Sequence, residues 1–195
     1  MHALIVVAHH DPLSLTHQLA KQLGSGIAKA GHSFEIADLS AEGFDPRFGP
    51  ADHEVHRHQA TPPADIVAEQ ARIDRADSLV VVFPVYWWSM PGLLKGWIDR
   101  VFSNGWAFDF SPQRGHVKKL QGLTVHLLGV AGADAQTFDK HGYRQAMHSQ
   151  IDHGIFDYCG ARVIGSTLLF DSETLEPTPH LQSAQSIGSK LFEKQ

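Results

Sequence analysis

"SLVVVFPVYWWSMPGLLKGWIDRVF", residues 78–102, is the stretch on which the fold turns. Ser78 to Pro84 is a continuous apolar run rich in β-branched residues, as expected of a strand buried on both faces. Pro91 then opens a helical pattern in which Leu93, Leu94, Trp97, Ile98, Val101 and Phe102 share one face, reading as core or interface. A proline in a first helical turn removes no bond that would otherwise form. Between strand and helix stand Tyr86, Trp87 and Trp88. At this level they can pack between helix and sheet, meet a second copy of the chain, or face a flat ligand.

The same alternation runs outward in both directions. Ala3 to His9, Ser33 to Leu39, Leu123 to Val130 and Arg162 to Phe170 read as further strands. After the first, Leu15, Leu19, Leu23 and Ile27 recur every four residues on one helical face, with Gly31 as a stop. Residues 64–77 carry Ile66, Val67, Ala71 and Ile73 at helical spacing. Residues 144–160 form a helix closed at Gly160, and 180–195 a final one. Ser40 to about Ala64 reads as irregular. Strand and helix in strict alternation predict an α/β fold with a parallel sheet covered on both faces, one domain over residues 1–195.

Composition excludes several functions. The net charge is −5 with no Lys/Arg block, so nucleic-acid binding has no electrostatic support. The single cysteine, Cys159, cannot form an internal disulfide and fits a reducing compartment; beside Phe156 and Tyr158 it reads as core. The start "MHALIVVAHHDP" has no basic segment and an apolar run of strand length only. A cytoplasmic protein without membrane insertion is expected. His53, His56 and His58 in "HEVHRH" suggest a metal cluster, but the spacing is not HExxH. Their polar, proline-flanked stretch reads as a solvated loop, and no metal is expected. Gly24 and Gly26 do not make G-x-G-x-x-G, and neither a P-loop nor G-x-S-x-G occurs.

In an open α/β sheet, ligands bind beyond the carboxyl ends of the strands. Three loops matter: "HHDPLSLT" (9–16), "PVYWWSMP" (84–91) and "GVAGADAQTF" (129–138). The first leads into a helix N-terminus with His9, Ser14 and Thr16. It can serve as an anion site suited to phosphate, or Ser14 and Thr16 can simply cap the helix. The second offers Trp87 and Trp88 to a flat ring system. In the third, Gly129 and Gly132 permit close backbone approach to a ring edge, or form a plain turn.

Four stretches carry a resemblance: "AHHDPLSLTHQLA", "PADIVAEQARIDRAD", "FPVYWWSMPGLLKGWIDRVFSNGWAF" and "GIFDYCGARVIGSTLLF", in that order. Over nearly its whole length the chain resembles the flavodoxin-fold NAD(P)H:quinone oxidoreductases, the DT-diaphorase group. It also resembles related ancillary flavoproteins of glutathione-gated potassium efflux systems, whose peripheral association with a transporter is a competing role. The longer segment from Ser40 to Ala64 favours the diaphorase side. Azo or nitro reduction and flavodoxin-like electron carriage are further alternatives.

The resemblance implies a flavodoxin-like three-layer sandwich with five parallel strands in order 2-1-3-4-5. It implies a homodimer with the active site at the interface. FAD is the implied cofactor, with FMN as the alternative, NAD(P)H as co-substrate and a quinone as acceptor. His9, Ser14, Leu15 and Thr16 would hold the flavin phosphates. Pro84, Val85, Tyr86, Trp87 and Trp88 would line the ribityl chain and one ring edge. Gly129, Val130, Ala131 and Gly132 would meet the pyrimidine end, and Asp99 would lie near the adenine half. Phe108, Phe110 and Phe138 would wall the substrate pocket. The family often carries a glutamine where Tyr86 stands. Its Tyr and His after the third loop fall at about Phe138 and Arg144, which makes the neighbouring Tyr143 and His141 the candidate proton donors here.

Overall fold

The computed structural model describes residues 1–113 and 115–193. Its main sheet is built from β1 (His2–Val7), β2 (Ser33–Asp38), β3 (Ser78–Pro84), β6 (Thr124–Val130) and β7 (Arg162–Leu169), all parallel, in the order β2-β1-β3-β6-β7. This is the expected 2-1-3-4-5 order once a short antiparallel hairpin, β4 (Phe108–Ser111) with β5 (Gly115–Lys118), is set aside. Every residue of β3 is buried, as its unbroken apolar run requires.

Alternate side chains of the central strands feed two cores. Ala3, Ile5, Val7, Val80 and Val82 pack with Leu19, Leu23 and Ile27 of α1 (Leu15–Lys29) and Ala184 of α7 (Thr178–Lys190). Leu4, Val6, Leu79, Val81 and Phe83 pack on the opposite face. Their partners include Ile66 and Ile73 of α3 (Ala64–Asp74) and Leu94, Trp97 and Val101 of α4 (Gly92–Val101). Helices thus cover both faces. On the first face α1 and α7 meet backbone to backbone. A Cβ on Gly26 would lie 2.1 Å from the Gln185 carbonyl oxygen, and one on Gly188 2.1 Å from that of Leu23. Only glycine permits this approach.

The segment 40–64, expected to be irregular, contains α2 (Pro50–His56). The reading of "HEVHRH" as loop is corrected with it, since His53 and His56 lie on this helix. Its order comes from charge more than from apolar burial. Asp52 accepts the Gly49 N–H at 2.8 Å and receives Arg100 Nε at 3.0 Å, while Arg100 also donates to Asp65 at 2.9 Å and to the Asp45 carbonyl at 2.8 Å. Val55 is the buried apolar residue of the helix. The hairpin β4–β5 and α5 (Ala135–His141) were not foreseen either.

The expected helix over 144–160 starts as α6 (Tyr143–Met147) and continues as a wider π-helical stretch, His148–Asp157, before Gly160 turns the chain at φ +91°. The final helix runs from Thr178 to Lys190 instead of reaching residue 195, and residues 194 and 195 lie outside the described residues. Among the described residues no helix is long and apolar enough to cross a membrane.

Candidate active site

Parallel pairing brings the carboxyl ends of β1, β3 and β6 side by side, and the three loops that follow them form one rim. The loop after β1 is shaped by its own polar groups. Asp11 Oδ1 accepts the Leu13 N–H at 2.9 Å, the Asp11 carbonyl accepts the Ser14 N–H at 3.1 Å, and His9 Nδ1 accepts the Asp11 N–H at 3.0 Å. Ser14 is the N-cap of α1: its Oγ accepts the His17 N–H at 3.3 Å. The first turn of α1 holds no acidic side chain, so its outward N–H groups and positive dipole end are not neutralised from within. The His9 ring stacks on His10 with centroids 4.6 Å apart. Burial first, then the neighbouring His10 and His17, push the His9 imidazole below its ordinary value.

The loop after β3 is a two-residue hairpin. Tyr86 and Ser89 exchange both backbone hydrogen bonds at 3.0 Å, and the residues between them, Trp87 and Trp88, have φ of +49° and +60°. Left-handed backbone at two bulky residues in succession is strained, and such strain concentrates at functional sites. The Val85 N–H donates to the Val130 carbonyl at 2.7 Å, which ties this loop to the end of β6.

The two tryptophans then part ways. Trp88 turns inward and stacks on Tyr143, centroids 3.9 Å apart and planes 10° from parallel, with its edge against Phe138 at 5.3 Å. Trp87 is 92% exposed. Packing therefore accounts for Trp88, whereas Trp87 presents a free indole at the rim.

The loop after β6 stays close to β7. Ala131 N–H donates to the Leu169 carbonyl at 2.7 Å, and the Ser172 N–H returns to the Ala131 carbonyl at 3.1 Å. A Cβ on Gly129 would lie 2.7 Å from Leu168 Cδ2, so glycine is needed there for strand packing. Gly132 is exposed, and a Cβ on it would lie 3.2 Å from a Glu173 carboxylate oxygen.

Val85, Tyr86, Trp87, Trp88, Ala131, Gly132, Ala133, Phe138 and Glu173 enclose a cleft of ≈ 360 Å³. Pro84 and Val130 are buried at the strand ends just below it. Phe138, expected as a substrate contact, is fully buried and braces the wall from beneath, edge-on to Trp88 and to Phe170. Tyr143 follows through its stack on Trp88, and His141 stacks on Tyr143 at 5.4 Å. The candidate proton donors, Tyr143 part exposed and His141 exposed, thus stand beside the aromatic wall and outside the lining of the cleft.

Asp99 and Phe108 are elsewhere. They line a second cleft of ≈ 450 Å³ with Phe48, His53, His56, Phe102 and Tyr158. Asp99 is paired with Lys95 at 2.6 Å. Phe110 is half exposed on the β4–β5 hairpin. Cys159, in the wall of this second cleft, is buried, and that burial raises its thiol to about 11.

Three residues that the sequence did not single out also belong to the rim: Glu173 in the cleft, and His17 with Asp38 beside Ser14. A histidine three residues after a serine N-cap was the one available sign of the latter. Its partner is 21 residues away and becomes a neighbour only through the parallel pairing of β1 with β2.

The sequence matches the family described as "Flavodoxin-like fold" over residues 1–191. It is 30% identical over 190 residues to ribosyldihydronicotinamide dehydrogenase (quinone) of Pongo abelii, covering 87% of this chain and 81% of that protein. NAD(P)H dehydrogenase (quinone) 1 of Rattus norvegicus is 27% identical over 207 residues, covering 97% and 76%. The solved NAD(P)H:quinone oxidoreductase from Methanothermobacter marburgensis superposes with a TM-score of 0.91 at 24% identity, covering 100% of this chain and 98% of that one. At that identity the superposition speaks for the fold alone.

Proposed function

The chain belongs to the flavodoxin-like fold family, and on that premise we propose that it is an NAD(P)H:quinone oxidoreductase working through a bound flavin. The observation that carries this reading is the cleft at the carboxyl edge of the sheet, walled by Trp88 on its Tyr143 stack and open toward Gly132. The names of the relatives point to the same chemistry.

The residues present fit a flavin. The α1 N-terminus, capped by a neutral hydroxyl and free of acid in its first turn, suits phosphate, with His9, Ser14, Leu15 and Thr16 around it. The strained hairpin holds Tyr86, Trp87 and Trp88 at one edge of the cleft, and Pro84 and Val85 lead into it. Gly129, Val130, Ala131 and Gly132 bring backbone to the other edge. When bound, a flavin accepts hydride from NAD(P)H and passes two electrons to a quinone, chemistry that belongs to the cofactor.

The protein's own part is to bind, orient and supply a proton. Tyr143 or His141 is the proposed donor to the quinone oxygen, the phenol being held parallel to Trp88 and the imidazole stacked against it. We take FAD as the flavin. We also take the working form to be a cytoplasmic homodimer in which Phe108 and Phe110 wall the acceptor pocket across the interface, with the buried Phe138 backing it. The exposed side chains of Phe48 and Tyr158 at the second cleft, and of Phe110 two residues along the strand from Phe108, support a second copy covering them.

The test is direct. The purified protein is expected to show a flavin absorption spectrum, to release FAD on heating, and to oxidise NADPH with menadione in ping-pong kinetics. A colourless protein that takes up neither FAD nor FMN on titration refutes the reading.

A further inference from the structure

Ser14 does more than cap a helix. Its Oγ already accepts the His17 N–H at 3.3 Å, and it lies 2.9 Å from His17 Nδ1. The other ring nitrogen, Nε2, lies 2.8 Å from Asp38 Oδ2. Asp38 is fixed in turn, because its other oxygen accepts the N–H groups of Ser40 at 3.2 Å and Ala41 at 3.1 Å. The His17 side chain is 7% exposed, so the chain Ser14–His17–Asp38 is largely shielded from water.

The hydrogen bookkeeping allows two states. A nitrogen 2.8 Å from a carboxylate oxygen must carry the proton between them, so Nε2–H donates to Asp38 in both. If Nδ1 is bare, it accepts the Ser14 O–H, and that hydroxyl has no proton left to offer a ligand. If Nδ1 is protonated, it donates to the second Ser14 lone pair, and the O–H is free to donate outward. An anion at the α1 N-terminus favours the second state twice over, by accepting the released O–H and by its attraction to the imidazolium.

We propose that His17 is a positioning residue that sets the direction of the Ser14 hydroxyl, so that binding of the flavin phosphates takes up one proton at His17. The proposal rests on the flavin reading above. The groups facing His17 are Asp38 at the end of β2 and, from the loop after β1, His9, whose ring lies at a near right angle with its centroid 6.2 Å away and is backed by His10 and Asp11. Asp38 holds the Nε2–H of His17. Burial first, then its two histidine neighbours, push the His9 imidazole below its ordinary value. Imidazole is the side chain that ordinarily changes charge between pH 5 and 8, which sets the range of the test.

Calorimetric titration of the apoprotein with FAD, in two buffers of different ionisation enthalpy between pH 6.5 and 8.5, counts the protons taken up. FAD is the probe because its pyrophosphate does not titrate in this range. Wild-type affinity is expected to fall as pH rises, by at most about tenfold per pH unit for one linked proton. His17→Gln is expected to bind with no such slope and no uptake. Asp38→Asn, which keeps a hydrogen-bond acceptor but loses the charge, should move the uptake to lower pH.

Nitrogen-15 spectra of wild-type histidines avoid any folding defect: in the FAD complex at pH 7.5 both His17 ring nitrogens should be protonated. A bare Nδ1 in that complex, or equal uptake in wild type and His17→Gln, overturns the proposal while leaving the flavin reading intact. Failure of both proteins to bind either FAD or FMN at any pH overturns the flavin reading and this proposal with it.

Discussion

Replacing Trp87 by glycine should stabilise the flavin-free protein and weaken its hold on flavin. Trp87 sits at φ +49° and is 92% exposed, so its side chain has almost no burial to lose. Left-handed backbone costs a residue with a Cβ ~1–2 kcal/mol, and glycine removes that strain. Its extra freedom in the unfolded chain returns ~0.5–1 kcal/mol. The net is a gain of up to ~1.5 kcal/mol, centred near ~0.8, or up to ~6 °C in Tm for a chain of this size. Trp88→Gly relieves the same kind of strain at φ +60° but forfeits the stack on Tyr143 and the edge contact with Phe138. Loss of a large buried aromatic costs ~3–5 kcal/mol, and Trp88 is part buried, so this variant should be ~1–3 kcal/mol less stable than wild type. Thermal unfolding of the apoproteins should therefore rank Trp87→Gly above wild type and wild type above Trp88→Gly. Flavin titration should rank wild type first. A Trp87→Gly protein that melts several degrees below wild type would show that the indole is packed or that the hairpin is unstrained, and the reasoning would fall.

Tyr143→Phe keeps the ring on Trp88 and removes only the hydroxyl, so NADPH–menadione turnover should drop at least about tenfold if the phenol is the donor. Full turnover in both Tyr143→Phe and His141→Ala would remove both from the chemistry. His126, in β6, is lowered to about 4 by burial, while the unfolded chain keeps the ordinary 6.5. Below pH 6.5 the unfolded state then binds a proton that the folded state refuses, so stability falls toward pH 4 by at most about 3 kcal/mol. Urea unfolding of His126→Gln should show a flatter acid limb, and an unchanged limb would contradict this. With its thiol raised to about 11, Cys159 should resist iodoacetamide at pH 8 in the folded protein and react once urea is added; prompt labelling of the native state would count against it.

The sheet was legible because parallel strands buried on two faces have no alternation to blur them: Ser78–Pro84 was bounded to the residue, and β6 and β7 to within one at each end. Likewise the three rim loops are a consequence of topology, and topology follows from alternation. The helix α2 was not legible, because Pro50–His56 offers no apolar stripe and is held by the pairing of Asp52 with Arg100, 48 residues on. The opposite fates of Trp87 and Trp88 were hidden for another reason. Neighbouring residues of one type differ only in the sign-reversed turn that aims one inward, and that turn depends on two backbone bonds between Tyr86 and Ser89. The link from Ser14 through His17 to Asp38 was likewise invisible until β2 lay beside β1.

The contact of α1 with α7 through Gly26 and Gly188 has a kinetic meaning. With carbonyls seated where side chains would otherwise intervene, neither helix can part from the other by a small slide or a rotamer change. Their amides should open to hydrogen exchange together with β1, as one cooperative block near the global unfolding free energy. The loop after β1 is anchored at both ends in that block, by β1 before it and α1 after it. Of the three rim loops, the hairpin after β3 and the loop after β6 lie outside that block, while the first stays fixed for as long as the protein remains folded.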